Sequence, residues 1–194
     1  MKKLLLCLIV LLLAAPALAE DFTIDPRHTF PSFEVNHMGL STQRGRFNST
    51  SGKITLDRAA KKGTVTLDID ATTVNTGLAE LEKHLRAEDF FNVEKFPKIS
   101  FRSSKVVFEG ENPGSVEGEI TLLGVTKPLT LTVSSFNCRI HPMTKKYVCG
   151  ADASATIKRS EFGMTYAIPA VSDEVRLFIQ VEAIRDGDAA ALKQ

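Results

Sequence analysis

Residues 175–182 have the sequence Val175-Arg176-Leu177-Phe178-Ile179-Gln180-Val181-Glu182, in which every second side chain is aliphatic. A period of two places one set of side chains on a buried face and the other on a solvated face, as in an antiparallel strand. Similar alternation occurs at residues 33–38, 65–70, 116–122, 129–134 and 151–157, and two further apolar segments begin at Phe47 and Phe101. Roughly eight such segments, separated by turn sequences, predict an antiparallel sandwich or barrel.

One stretch departs from this period. Leu78, Leu81 and Leu85 recur at helical spacing with charged residues between them, which predicts a short amphipathic helix over residues 77–87. The tail after Arg185 contains mostly Gly, Asp and Ala, and we expect it to be frayed because it has little to bury. The sequence therefore predicts an all-β domain with one short helical insertion.

The first 19 residues have the organisation of a secretory signal peptide. Lys2 and Lys3 precede an unbroken apolar run from Leu4 to Leu13, and Ala17-Leu18-Ala19 forms a small-residue cleavage site. A retained N-terminal anchor is the alternative, but this run is short for a membrane-spanning helix. We predict a signal peptide over residues 1–19, a single domain over residues 20–194 and, from the lysine-rich start, a bacterial periplasmic location. No other apolar run in the sequence approaches the length of a membrane-spanning helix either.

Charge and motif content disfavour several classes of protein. Cleavage after residue 19 would remove two of the 24 basic residues and none of the 23 acidic residues, leaving a net charge of −1. Nucleic-acid-binding domains usually carry a basic excess, so we expect no nucleic-acid partner. The four histidines, His28, His37, His84 and His141, are widely separated, and no hydrolase elbow, phosphate loop or zinc-protease motif is present. We expect no catalytic residues, no metal and no cofactor.

The two cysteines that remain after cleavage predict a disulfide. Residues 139–148 separate Cys138 from Cys149, with the turn-forming Pro142 near the centre and strand-like sequence on both sides. An oxidising compartment favours a bridge across this hairpin, which would stabilise the fold by about 3 kcal/mol. The pair lacks the Cys-x-x-Cys spacing of catalytic thiols, and only His141 lies near enough to assist in binding zinc.

The inward faces of the predicted strands combine small and large side chains. Ala151, Ala153 and Ala155 occupy one face, and Gly118 lies on another, whereas other strands present Phe and Leu. Either the large side chains fill the space or a lumen remains open, and an eight-stranded barrel is wide enough for both outcomes. An open lumen with this lining would hold an apolar or amphipathic molecule, fixed by a few polar groups.

Five segments together resemble a known family. They are FEVNHMG (33–39) with GRF (45–47), KHLRAEDFFN (83–92) with FPKISF (96–101), LLGVTKPLTL (122–131), IKRSEFGM (157–164) and VRL (175–177). In this order they resemble the YceI family of polyisoprenoid-binding, lipocalin-like periplasmic proteins, from about Phe22 to Ala183. The resemblance implies an eight-stranded antiparallel lipocalin-like barrel with a helical insertion. It also implies a long apolar cavity for an isoprenoid or other long-chain amphiphile, a homodimer and no defined catalytic residues. The Cys138–Cys149 hairpin is not a general feature of the family.

We predict a periplasmic binding or carrier protein that sequesters a long-chain isoprenoid or similar amphiphilic lipid. The alternatives are an enzyme acting on a lipid or isoprenoid ester, and a stress-response interaction protein with a filled barrel. The residues expected to line the tunnel are Phe33, Val35, Phe47, Leu67, Ile69, Phe101, Ile120, Leu131 and Ala153. Those expected to close its ends are Phe90, Phe91, Phe162 and Met164. His37 and Arg159 are expected to contact a head group, and the alternative for His37 is a hydrogen-bonded interior histidine.

Overall fold

The computed structural model describes residues 19–189, so the predicted signal peptide lies outside the described residues except for its last position. The strands are β1 (Glu20–Ile24), β2 (Phe30–His37), β3 (Ser41–Phe47), β4 (Thr50–Asp57), β5 (Lys62–Asp70), β6 (Val74–Asn75), β7 (Lys98–Glu109), β8 (Asn112–Leu122), β9 (Val125–Ile140), β10 (Tyr147–Lys158) and β11 (Val171–Arg185). The helices are α1 (Ala79–Arg86) and α2 (Asp186–Ala189), and 3-10 turns occupy Ala71–Thr73 and Arg159–Phe162. Within this described range, no helix is both long and apolar enough to cross a membrane.

The sheet closes into an antiparallel barrel. Its strands follow the order β1-β4-β5-β7-β8-β9-β10-β11, and β11 pairs back with β1. β1 and β2 follow each other along the same edge of β11, and both pair with it. β2 also pairs with β3, and only two residues separate β3 from β4. The pairs β1–β2 and β3–β4 therefore each act as one interrupted strand. This confirms the predicted eight-stranded barrel.

The predicted alternation accounts for the core. Ala153 of β10 lies between Val133 of β9 and Ile179 of β11 in register, and all three side chains face the inside. The neighbouring Asp152 and Gln180 are exposed. The period of two therefore separates a continuous apolar interior from a polar outer surface.

The helical insertion is confirmed and is slightly shorter than predicted. Leu85 is buried and Leu81 is half-buried, but Leu78 precedes the first turn and is 55% exposed. The Glu82 carboxylate accepts hydrogen bonds from the backbone N–H groups of Thr76 and Gly77, at 2.9 and 3.1 Å. These bonds tie the preceding loop to the helix.

The expectation of a frayed tail directly after Arg185 is wrong for residues 186–189, which form α2. Asp186 accepts hydrogen bonds from Lys53 Nζ at 2.8 Å and Thr23 Oγ1 at 2.5 Å. Asp188 accepts one from the backbone N–H of Tyr147 at 2.9 Å. The tail is anchored by its carboxylates, although it has little apolar surface to bury.

The predicted disulfide is confirmed. Cys138 of β9 and Cys149 of β10 are directly paired in register, with Cα atoms 4.0 Å apart, and their sulfurs are bonded. The bridge joins the two strands close to the turn that connects them.

Candidate ligand-binding cavity

The barrel is not filled. A cavity of about 390 Å³ occupies its lumen, with walls supplied by the inward faces of the sheet, by α1 and by the loops beside it. Its lining is mainly aliphatic and aromatic, and the polar residues on the wall are Ser32, His37, Gln43, Arg44, Thr76, Ser100 and Arg159. Of the two arrangements that the sequence left open, the structure has the open lumen. A concave apolar site with a few polar groups is typical of small-molecule binding.

Most of the predicted site residues lie on this cavity wall. They are Phe33, Val35, His37, Phe47, Leu67, Ile69, Phe90, Phe91, Phe101, Ile120, Leu131, Arg159 and Met164. Ala153 instead lines a second, smaller cavity. Phe162 is buried in the core, outside the lining of both cavities. The role of these residues in binding stays a prediction.

Three aromatic rings form the wall where the barrel meets the loop after α1. The Phe47 and Phe91 centroids are 5.3 Å apart, and Phe33 lies 5.8 Å from Phe47 and 6.0 Å from Phe91. Gly45 makes this arrangement possible, because a Cβ atom there would lie 2.3 Å from Cζ of Phe33. A strand glycine thus lets an aromatic ring lie across the backbone of the neighbouring strand.

Aromatic contacts also hold the loop after α1 against the loop before β11. The Phe90 ring lies 4.9 Å from His84 and 5.4 Å from Tyr166, measured between centroids. His84 and Tyr166 are 5.3 Å apart. Phe90 therefore contributes one face to the cavity and another to this surface cluster.

The polar wall residues His37, Gln43 and Arg44 lie close together at the end where β2 turns into β3. Gln43 and Arg44 are exposed and His37 is half-buried. The Arg44 guanidinium donates to the Glu34 carboxylate at 2.6 Å. Among residues 19–189, no protein group hydrogen-bonds the His37 ring, and its contact with a head group stays a prediction. This end combines solvent access with polar groups beside an apolar chamber.

Arg159 is a buried cation that holds a loop. It is only 2% exposed, and its Nε, Nη1 and Nη2 atoms donate to the carbonyl oxygens of Ser172, Met164 and Val171 at 2.9, 3.1 and 2.9 Å. Burial lowers the pKa of the Arg159 guanidinium, and the nearby Asp173 partly offsets that effect. Since a guanidinium has five N–H donors, these bonds leave one N–H on each terminal nitrogen for another acceptor. Anchoring the loop is thus the role that the geometry shows for Arg159.

Comparison with known sequences identifies the family. The sequence profile of the YceI-like domain matches residues 22–183. The chain belongs to the YceI-like domain family. It is 38% identical over 177 residues to a UPF0312 protein of Pseudomonas aeruginosa, covering 89% of this chain and 91% of the relative. A UPF0312 protein of Serratia proteamaculans is 38% identical over 179 residues, covering 91% and 92% of the two chains. These matches confirm the resemblance found in the sequence.

Solved structures share the YceI-like fold. A YceI protein from Campylobacter jejuni has a TM-score of 0.66 at 27% identity, covering 77% of this chain and 88% of that chain. BcnA from Burkholderia cenocepacia has a TM-score of 0.69 at 22% identity, covering 82% and 98%. A polyisoprenoid binding domain from Saccharophagus degradans has a TM-score of 0.60 at 17% identity, covering 84% and 98%. At their lower identities, the last two show the common fold alone.

Several wall residues of the YceI-like barrel were not among the predicted binding residues. Strand alternation supplies a signal for one group of them: Ile99, Leu122, Leu129, Ile157, Val175, Leu177 and Ile179. The apolar face of α1 supplies a signal for Leu81 and Leu85. Gln43, Arg44 and Thr76 carry no such signal, because β3 and the loop before α1 are mainly polar.

A second chamber of about 80 Å³ lies toward the end of the YceI-like barrel that carries the disulfide. Its wall includes the small residues Gly150, Ala151 and Ala153 together with Phe22 and Cys149. Ala151 and Ala153 of β10 thus line this smaller chamber, and their small side chains leave it open.

In the part of the YceI-like chain that the structure describes, the hydroxyl groups that donate to an acidic side chain, such as Ser160 to Asp173 at 2.8 Å, do not involve a histidine. Within residues 19–189, no serine hydroxyl hydrogen-bonds a histidine ring: His28 contacts Asp25, and His141 accepts from two backbone N–H groups. In the same range, no three His, Cys, Asp or Glu side chains are close enough to hold a metal ion. What the described side chains build is an apolar compartment with a polar end.

Proposed function

We propose that this YceI-like chain is a periplasmic binding or carrier protein that sequesters a long-chain isoprenoid or similar amphiphilic lipid in its barrel. The observation that carries the proposal is the open, apolar cavity of about 390 Å³. Transfer of an apolar tail from water into such a site contributes about 25 cal/mol for each Å² buried. The cost of ordering a flexible tail reduces this gain. Binding by burial requires no bond chemistry.

The distribution of polar wall residues supports one orientation of the lipid. His37 and Gln43 lie at the β2–β3 end, whereas the central wall consists of residues such as Leu67 and Phe101. A head group at the polar end keeps its hydrogen bonds, and the tail occupies the part of the lumen whose wall is apolar.

The common fold and the disulfide support the remaining parts of the proposal. The resemblance to the polyisoprenoid-binding YceI family favours an isoprenoid as the class of lipid, and a polyisoprenoid binding domain from Saccharophagus degradans shares the fold. The Cys138–Cys149 bridge suits an oxidising compartment such as the periplasm. A homodimer stays a prediction from the family resemblance.

Two adjacent residues of β11 provide the test. Leu177 faces the cavity, while Phe178 points to the outer surface and is 38% exposed. In Leu177→Glu, tail binding would strip water from a carboxylate, at a cost of about 3 kcal/mol, so affinity for a dansyl-labelled fatty acid should fall about a hundredfold. Phe178→Glu introduces the same charge on the solvated face and should bind as the wild type does.

The control for folding is the far-UV circular dichroism and thermal unfolding of both variants. Leu177→Trp, which occupies cavity volume without adding charge, gives a second way to block the site. Equal affinity of the folded Leu177→Glu, Leu177→Trp and wild-type proteins would contradict binding in this cavity.

A further inference from the structure

The two chambers meet at a single layer of side chains. Leu67 of β5, Phe101 of β7, Leu131 of β9 and Ile179 of β11 are the residues that line both cavities. Leu67, Phe101 and Leu131 are 4–6% exposed, and Ile179 is half-buried. These four apolar side chains, called the dividing layer below, separate the chamber of about 390 Å³ from that of about 80 Å³.

The backbone of the dividing layer is firmly held. Leu67 and Phe101 are directly paired across β5 and β7, and Nη1 of Arg102 donates to both of their carbonyl oxygens, at 2.8 and 2.9 Å. Gly118 of β8 leaves the space that the Phe101 ring occupies, since a Cβ atom there would lie 2.7 Å from Cζ of Phe101. The size of the side chains, more than movement of the strands, therefore determines whether the two chambers connect.

The dividing layer lies between the polar end of the barrel and the disulfide end. Along β11, Val171, Val175 and Leu177 line the large chamber, Ile179 lines both, and Ala183 lines the small one. Ala183 lies four residues after Ile179, a distance of about 13 Å at the rise of a β-strand. A lipid whose head group stays at the polar end would meet the dividing layer with the far end of its tail.

From this arrangement we infer that the dividing layer sets the length of lipid tail that the protein accepts. The inference rests on the proposed function and adds a specificity determinant to it. In the wild type, a tail gains affinity with length until it reaches Phe101 and Leu131, and further methylenes remain outside the protein. Opening the layer gives longer tails access to the chamber lined by Ala151 and Ala153.

The test measures affinity for prenyl alcohols of increasing length: geraniol, farnesol, geranylgeraniol and solanesol. Each alcohol displaces a dansyl-labelled fatty acid from the wild type, Phe101→Leu and Leu131→Ala. Each additional methylene that becomes buried raises affinity by about fourfold. In both variants, the ratio of the geranylgeraniol affinity to the farnesol affinity should rise at least about tenfold above its wild-type value. The use of two variants keeps the test informative should one fail to fold.

Two further variants distinguish the effect of opening the dividing layer from the effect of loosening the core. Val116 is 7% exposed and lines only the small chamber, so Val116→Ala removes core volume without opening the layer and should keep the wild-type ratio. Combining Ala153→Phe with Phe101→Leu refills the small chamber and should cancel the gain. Identical length profiles for the wild type, Phe101→Leu and Leu131→Ala would overturn the inference while leaving the proposed function intact. If no protein, the wild type included, binds any of the alcohols, the proposed function fails as well.

Discussion

Replacing Arg159 by methionine should loosen the loop from Gly163 to Ser172. The substitution keeps much of the side-chain volume but removes the donors to three carbonyl oxygens, those of Met164, Val171 and Ser172. Buried acceptors left without donors cost about 1–3 kcal/mol each. Removal of a desolvated charge offsets part of that cost, so we expect a net loss of about 3–5 kcal/mol. In a domain of this size, the melting temperature should fall by about 10 °C.

Thermal unfolding measures the net loss, and hydrogen exchange over residues 163–172 shows whether it is local. Met164 and Val171 line the large cavity, so affinity for a dansyl-labelled fatty acid should decline together with the loop's protection. Lys158→Met is the matched control, because Lys158 is an exposed neighbour whose side chain makes no hydrogen bond within residues 19–189. If Arg159→Met keeps both the wild-type melting temperature and slow exchange in this loop, Arg159 does not anchor the loop.

Three further changes test separate parts of the fold. Replacing both Cys138 and Cys149 by alanine should lower the free energy of unfolding by about 3 kcal/mol, because the bridge closes a loop with a sequence separation of 11; an unchanged denaturation midpoint would exclude this contribution. Burial alone would raise the pKa of Asp25, but hydrogen bonds from the neighbouring arginine and histidine lower it from 3.8 to about 2. This depressed pKa adds about 2 kcal/mol of stability at neutral pH, which is lost as the pH falls from about 4 to about 2. In urea unfolding, Asp25→Asn should therefore be less stable than the wild type at about pH 7 and approach the stability of the wild type at about pH 2. A difference in unfolding free energy that does not change with pH would contradict this role of Asp25. Gly45→Ala should cost about 1–3 kcal/mol, since its methyl group would meet the Phe33 ring at 2.3 Å, and a wild-type midpoint in denaturant would contradict the close approach.

The barrel was predictable because the alternation of apolar and polar residues along each strand shows which side chains face the interior. Ala151, Ala153, Leu177 and Ile179 all face inward as their positions in the sequence require. The disulfide was predictable for a similar local reason, since Cys138 and Cys149 flank one turn. The interruptions between β1 and β2 and between β3 and β4 were not, because they depend on how the barrel closes.

The candidate site was predictable where a periodic element forms its wall. Phe162 lies in a 3-10 turn, to which the alternation of a strand does not apply, and its side chain is placed in the core outside both cavities. Gln43 lines the cavity from a mainly polar strand. The anchoring role of Arg159 depends on carbonyl groups of residues 164–172, whose direction is set by the folded loop. Whether small residues leave space open depends on the packing of the whole barrel.

Mass spectrometry of an organic extract from the purified protein tests the central claim most directly. We expect a long-chain lipid in stoichiometric amount from the wild type, and a strongly reduced amount from folded Leu177→Glu prepared in parallel. A folded wild-type protein that yields no lipid, and takes up neither added quinone nor added polyprenol, would contradict it.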